Sequence, residues 1–371
     1  MLSKFQIENF KNFEEKLELD LTETKHYKFN ENCIVNGIVN KALIYGHNGS
    51  GKSNLGYAIF DLISHLTTKS IDRERYANYL NAQSKKEVAS FYYEFIFGES
   101  TLVYTYTKTN MMELVSEKVE IDGLVYAHID RKVSTAIEIN ASGAETLKRD
   151  MEDSKISIVS YIANNAILDK NDLANQTFYA FLNFVENMLF FRSLDDGNTY
   201  MGHMKGASVI DEDIIQHGNV KEFETFLNSM GISCQLDVEK LGNSSSIVFV
   251  MGDKKIPFFE IASSGTRSLA LFYFWYQRME KSGIKFVFID EFDAFYHYEL
   301  SKNIVAVLKK LGIQVLLTTH NTSLITNELL RPDCYFLIGN NKIKALSALT
   351  SKELREAHNI EKMYKANSFA I

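Results

Sequence analysis

Between Val88 and Ile139 the chain alternates. In "VASFYYEFIF", "STLVYTYTK", "ELVSEKVEID" and "LVYAHI", aromatic and β-branched residues are interleaved with polar ones. A period of two over four successive runs predicts a half-buried antiparallel sheet. Shorter runs within residues 3–45, "KFQIENF", "KLELDL" and "KALIY", predict strands divided by polar turns. After Ser50 the period lengthens, so that Leu55, Ile59, Leu62, Ile63 and Leu66 share one face of a helix. Residues 71–86, "IDRERYANYLNAQSKK", are polar enough to form an exposed connection.

From 141 to 230 the pattern is mostly helical. It includes "FYAFLNFVENMLFF" (178–191), whose aromatics cover the interior face of a helix rather than form a platform for stacked bases. Residues 200–219, which carry glycines, read as loop-rich. Apolar runs follow: "SSIVFVMG", "IKFVFIDE" (284–291), "QVLLTTH" (314–320) and "CYFLIG" (334–339). An amphipathic helix at about 299–311, closed by Gly312, separates the second run from the third. Strands alternating with a helix predict a parallel sheet covered by helices. "RSLALFYFWYQRMEK" predicts a further helix, buried along Leu269–Tyr276 and ended by Gly283. "TSKE" (350–353) has the spacing of a capping box that opens a last helix.

Composition narrows the class. Of 371 residues, 46% are hydrophobic and 23% charged, and only Pro257 and Pro332 are proline, which suits a globular chain without a Pro-rich linker. A formal charge of −7 argues against sequence-independent DNA binding through a broad basic face. Cys33, Cys234 and Cys334 lie far apart and form no ligand-spaced pair, so reduced thiols are expected rather than a disulfide framework or a zinc site. The opening "MLSKFQIENFKNFEE" has charges where a signal peptide needs its apolar core, and no run approaches the roughly 20 residues of a membrane span. The expectation is a cytoplasmic protein with no membrane contact.

Chemistry begins at "LIYGHNGSGKSN". Gly46, His47, Asn48, Gly49, Ser50, Gly51, Lys52 and Ser53 spell G-x-x-x-x-G-K-S between an apolar strand and a helix. The three glycines permit turns that aim backbone N–H groups at phosphate oxygens. Lys52 suits the β- and γ-phosphates of ATP, Ser53 suits Mg2+, and the helix directs its positive end at the anion. "KFVFIDE" places Asp290 at the carboxyl end of a buried strand, the sheet edge where a phosphate loop lies. Asp290 is the second expected Mg2+ holder, through water, and Glu291 the residue that polarises the attacking water. His320 ends the next strand and suits a γ-phosphate sensor.

One motif remains, "ASSGTRSL". Ser263, Ser264, Gly265 and Thr266 offer hydroxyls and free N–H groups at a helix start, a second anion-binding terminus. One ATP needs one phosphate loop. A second terminus therefore suggests two chains sharing each nucleotide.

Phosphate loop, small-residue signature, apolar strand ending in Asp-Glu and terminal histidine, in that order, resemble the ABC-type ATPase heads of the SMC, RecF and Old (overcoming lysogenisation defect) group. "FQIENFKNFEE" is similar to that group's first strand and turn. "TTHNTSLITNELLRPDCYFLI" and "ELREAHNIEKMYKANSF" resemble the short bacterial AAA-family ATPases of phage-defence and abortive-infection loci. The resemblance implies an α/β head: a P-loop parallel or mixed sheet core, an N-terminal antiparallel β-lobe and a helical insertion lobe. The expected organisation is one head over 1–371. Its core is 1–70 and 245–349, its β subdomain 88–140, its helical insertion 141–230 and its C-terminal helix 350–371.

Residue by residue, the resemblance makes Gly46 to Ser53 the Walker A loop and Phe286 to Asp290 the Walker B strand, with Glu291 as catalytic glutamate. It makes Ala262 to Thr266 a signature acting in trans, His320 the switch histidine, and Lys11 and Asn12 neighbours of the adenosine. Three departures stand out. Ser264 replaces the signature's usual first glycine and Thr266 its glutamine; His297 stands where transporter-type ATPases have aspartate; and the Q-loop glutamine has only Gln83 or Asn164 and Asn165 as candidates. No long coiled coil splits the head, and no TOPRIM-type acidic constellation follows His320. The implied function is a Mg2+-dependent ATPase, an ATP-dependent head-to-tail homodimer or higher oligomer that controls a co-encoded toxin or nuclease in bacterial antiviral defence. Two alternatives stay open: a RecF-like DNA-binding repair ATPase, which the acidic composition disfavours, and a nuclease with its own site.

Overall fold

Strands that are apolar on both faces are stable only inside a sheet covered twice. Such are β1 (Lys41–Tyr45), β2 (Met188–Arg192), β3 (Phe286–Asp290), β4 (Gln314–Thr319) and β5 (Tyr335–Gly339). A computed structural model of the chain describes residues 1–152, 154–194, 199–204, 209–241 and 244–369. The five strands run parallel in the order β2-β3-β4-β1-β5, and antiparallel edges at Tyr200–Gly202 and Lys342–Ala345 complete a seven-stranded mixed sheet. Helix α1 (Lys52–Phe60) covers one face and α2 (Ser264–Lys281) the other. On β2, Phe190 meets Tyr57 and Phe60 of α1, while its neighbour Phe191 stacks on Trp275 of α2. Gly56 lets α1 approach: a Cβ there would lie 2.6 Å from Phe190 and 2.8 Å from Phe288.

The alternating segments build a second, antiparallel sheet. Its order is Glu138–Ile139, Leu124–Asp130, Glu113–Ile121, Ser100–Asn110, Ala89–Phe97, Leu2–Glu8, Leu17–Asp20. Leu2–Glu8 and Leu17–Asp20, set in the core by the 1–70 boundary, thus belong to the β-lobe, because Leu2–Glu8 pairs with Ala89–Phe97. Gln314 ties the two sheets together. Its buried amide accepts from Leu2 N (3.0 Å) and donates to Leu2 O (2.8 Å) and Val39 O (3.0 Å).

Helix α1 lies between the sheets, and tyrosines fasten its end. Tyr76 donates to Tyr57 O and Tyr93 to Ala58 O, both at 2.8 Å. Just beyond, fully buried Asp61 accepts from Lys108 Nζ (2.8 Å), Tyr79 Oη (2.8 Å) and Tyr106 Oη (2.9 Å). Burial lowers the Lys108 pKa, and Asp61 opposes that shift. The 71–86 connection is therefore not wholly exposed: Tyr76 and Tyr79 are buried in the core.

Other expectations change with the packing. The helix predicted over 178–191 ends at Glu186 (Leu173–Glu186), and Met188–Arg192 is a core strand, because Phe190 and Phe191 must face opposite ways. The 200–219 stretch holds the strand Tyr200–Gly202 and the helix Ile210–Gln216; its residues 205–208 lie outside the described residues. "TSKE" forms a turn in which Thr350 Oγ1 accepts from Lys352 N (3.2 Å), not a cap. Within 350–371 the helix is short: Ile360–Lys365, capped by Asn359 Oδ1 accepting from Lys362 N (2.8 Å), with 370–371 outside the described residues. Cys33 and Cys334, distant in sequence, are both buried and close enough to act on each other, Cys334 lowering the pKa of Cys33, and burial together with Cys33 raising that of Cys334.

Removing Lys108 would leave the buried Asp61 charge matched only by hydroxyls. Lys108→Ala is expected to lower the free energy of unfolding by about 3–5 kcal/mol in a denaturant titration. A loss below about 1 kcal/mol would place the pair with solvent-exposed ones.

Candidate functional site

The site forms where β1, β3 and β4 end level with one another. After β1 the chain turns at Gly46, where a Cβ would collide with Ser50 Oγ and stand 2.8 Å from Ile338 O. Gly49 (φ 79°) and Gly51 (φ 100°) take left-handed backbone, and α1 begins at Lys52. Lys52 Nζ spans the loop, donating to Gly46 O (2.7 Å) and His47 O (3.1 Å). Its burial lowers its pKa, while Glu291, then Asp290 and Asp293, pull the other way.

Asp290 has no exposed surface. Its Oδ2 accepts from Ser53 Oγ (2.6 Å) and Arg192 Nε (2.9 Å), and its Oδ1 from Thr318 Oγ1 (2.6 Å). Parallel register explains the meeting: Arg192 of β2 is the direct partner of Asp290, and Leu317 of β4 that of Ile289. Glu291 follows with left-handed backbone (φ 48°), its N–H donating to Thr318 Oγ1 at 2.7 Å. One threonine hydroxyl thus ties both acids. Next to it, Thr319 Oγ1 donates to Asp293 Oδ2 (2.9 Å), and burial raises the Asp293 pKa. His320 stands exposed directly after β4.

The second terminus lies apart. Ser263 caps α2 by accepting from Thr266 N (3.2 Å), and its hydroxyl meets Thr266 Oγ1 at 2.9 Å. Ser263 and Ser264 are exposed, and a Cβ at Gly265 would lie 3.1 Å from Phe295 O. Among the described residues, no hydrogen bond joins Ser263–Thr266 to residues 46–53. His297 serves as a helix cap for Tyr298–Lys309, its Nδ1 accepting from Leu300 N (3.3 Å).

Of the adenosine candidates, Asn12 is at the loop: its Oδ1 accepts from Asn54 Nδ2 (2.6 Å). Lys11 Nζ turns to Ala77 O (3.0 Å). Gln83 sits in an exposed turn, and Asn164 and Asn165 at the exposed end of the helix Ile158–Asn165. Among the described residues none of them hydrogen-bonds Asp290. Arg192 does, and sequence reading missed it, along with Thr318, Thr319 and Asp293. The threonine pair had a signal, two hydroxyls closing an otherwise apolar "VLLTTH".

This arrangement can cradle an anion in a glycine loop with one ammonium group. Ser53 and Asp290 give adjoining oxygen donors that suit a hard divalent cation. Among the described residues no group of three or more His, Cys, Asp or Glu could hold a metal, so most ligands of such a cation would come from substrate and water. No helix among the described residues is long and apolar enough to cross a membrane.

A family model described as "AAA domain, putative AbiEii toxin, Type IV TA system" matches residues 41–326, well over half of the chain. Two solved structures are similar at 14% identity. The SMC head bound to the C-winged helix domain of ScpA has a TM-score of 0.47, covering 92% of this chain and 96% of that one. The SMC head domain from Thermotoga maritima has a TM-score of 0.46, with 92% and 97% covered. No curated protein matches the chain.

The shared threonine gives a test of the site's construction. Thr318→Val keeps the shape but leaves Asp290 Oδ1 and Glu291 N–H without their common partner. The expected cost is about 1–3 kcal/mol of stability by denaturant titration, and an unchanged midpoint would count against the hydroxyl's bridging role.

Proposed function

The chain belongs to this AAA-domain family, and with the geometry of the site we propose that it is a Mg2+-dependent ATPase switch governing a separate effector. The observation that carries the reading is the joining of Ser53, Asp290, Thr318 and Glu291 at the mouth of a phosphate loop. Loop N–H groups and Lys52 would bind the phosphates. Ser53 and Asp290 would hold Mg2+, which when bound supplies positive charge to the phosphate oxygens. Glu291 would orient the attacking water and take its proton as the bond between the γ-phosphorus and its bridging oxygen breaks. His320 would sense the γ-phosphate. Positioning and charge do most of the work in this class of reaction.

The Ser263–Thr266 terminus, with Ser263 and Ser264 exposed and, among the described residues, no hydrogen bond to its own loop, supports a head-to-tail dimer in which it faces the partner's loop. The family description names a toxin and a toxin–antitoxin system, which supports a co-encoded toxin or nuclease as effector, in antiviral defence. Control of that effector requires that it bind one nucleotide state more tightly than the other.

Glu291→Gln is expected to retain ATP binding while turnover falls by roughly 10²–10⁴-fold, the range for a lost general base. Lys52→Ala is expected to lose ATP binding. Used as baits in the native host, the two variants should retain a neighbouring gene product to different extents. Wild-type-like turnover in Glu291→Gln removes the catalytic assignment. Failure of both baits to capture a partner, with specific DNA binding by the purified chain, replaces the switch by a DNA repair ATPase.

Sharing of sites is tested by mixing. Lys52→Ala and Ser264→Arg chains, each folded and inactive alone, should regain ATPase activity when combined in equal amounts, since one composite site is then intact. No recovery on mixing speaks against a shared site.

A further inference from the structure

We propose that the base of the bound nucleotide lies in an aromatic cavity between the phosphate loop and the C-terminal helix, with Tyr364 as the residue that stacks on it. The inference rests on the nucleotide reading above, in which the phosphates and the cation are placed but the base is not.

The strand order separates two sides of the loop. β1 stands between β4 and β5, and the acids that follow β3 lie on the β4 side. On the β5 side a cavity of about 600 Å³ borders the loop along 46–50 and the end of β5. Small-molecule sites commonly enclose about 300–1,000 Å³. This one is lined by Tyr45, His47 and Asn48, by Ile338 of β5, and by Tyr364 and Phe369 of the C-terminal segment. Tyr45 and Tyr364 meet edge to face with ring centroids 5.0 Å apart, and Tyr45 meets His47 in the same manner at 5.9 Å. Tyr45 and Phe369 are buried, whereas Tyr364, on the helix Ile360–Lys365, is half-buried and keeps ring surface open to the cavity.

The chemistry of this lining is that of a base site. Aromatic rings stack on the π-face of a base. Asn48 and Asn367 are exposed and line the cavity, and each offers an amide that both donates and accepts, as the hydrogen-bonding edge of a base requires. The other approaches to the loop are taken. On the β-lobe side, Asn12 and Phe13 pack so closely that a Cβ at Gly51 would stand 2.6 Å from Asn12 Nδ2 and 3.0 Å from the Phe13 ring. Asn12 is held there by Asn54, and Lys11 Nζ is turned to Ala77 O. On the β4 side stand Asp290, Glu291 and Asp293, carboxyl groups suited to a cation rather than to an aromatic ring. A phosphate chain seated in the loop therefore carries its base to the β5 side, and the C-terminal helix becomes part of the nucleotide site.

Calorimetry in the presence of Mg2+ tests this by comparing ATP with inorganic tripolyphosphate, which fills a phosphate loop but has no base. In Tyr364→Ala, ATP affinity is expected to fall by about fivefold to a hundredfold, the range of one lost base–aromatic stack, while tripolyphosphate affinity stays within about twofold. Tyr364→Phe keeps the ring and should bind ATP like the wild type. An ATP analogue with a photoreactive azide on its purine gives a measurement that needs no substitution. On irradiation of the wild-type chain, the label is expected on peptides that carry Tyr45 to Asn48 or Tyr364 to Phe369. Labelling confined to Lys11 and Asn12 or to any other segment, or equal ATP affinities of the wild type and Tyr364→Ala, overturns the proposal and leaves phosphate binding standing. If Tyr364→Ala loses tripolyphosphate as well, its fold is damaged and the labelled peptide decides. A wild type that binds neither ATP nor tripolyphosphate overturns the nucleotide reading, and this inference with it.

Discussion

A carboxylate without exposed surface closes β3, and its needs organise the molecule around it. Desolvating an ion costs several kcal/mol, which good geometry and added hydrogen bonds must offset. Asp290 obtains them from Ser53 at the start of α1, Thr318 on β4 and Arg192 on β2. These residues are far apart in sequence; in space the parallel register gathers them at one edge. The carboxylate is satisfied only when the strand order is complete. The site and the sheet are therefore one construction.

The position of α1 depends on both sheets. Against the core it needs Gly56, since a larger residue would push the helix off Phe190 and Phe288 and carry Ser53 away from Asp290. On its other side the β-lobe and the 71–86 connection grip it together, its last carbonyls through Tyr93 and Tyr76, and Asp61 through Lys108 and Tyr106 of the lobe and Tyr79 of the connection. Gln314 joins the same two sheets at the opposite end of β4. A displacement of the β-lobe must then reach the phosphate loop through α1, because interiors are close-packed and transmit strain.

Legibility in sequence followed the range of the interactions. The phosphate loop and the acid pair are local spacings between an apolar strand and a helix or turn, so they could be read directly. Arg192 could not. It ends an apolar run that continues from a helix with only Asn187 at the junction, and aromatic residues there fit a helix face as well as a two-sided strand. Membership of Leu2–Glu8 in the β-lobe was hidden for another reason: it rests on pairing with Ala89–Phe97, which no local pattern encodes. "TSKE" had a capping box's spacing, but the side chain that caps the last helix is Asn359. The mixed sheet, the antiparallel lobe and much of the helical insertion were legible because their periods are long and regular.

Glu291 shows how the backbone itself serves the site. In continued extended conformation the residue after Asp290 would point to the opposite face of the sheet. Its left-handed φ of 48° breaks that alternation, and the Glu291 carboxylate acts on Lys52 more strongly than Asp290 does. Left-handed backbone costs a non-glycine residue about 1–2 kcal/mol, so glycine would be the comfortable choice. A carboxylate stands there instead, held by the N–H bond to Thr318. The same hydroxyl that satisfies the buried Asp290 thus secures the strained turn, and a structural bond and a chemical position become a single requirement.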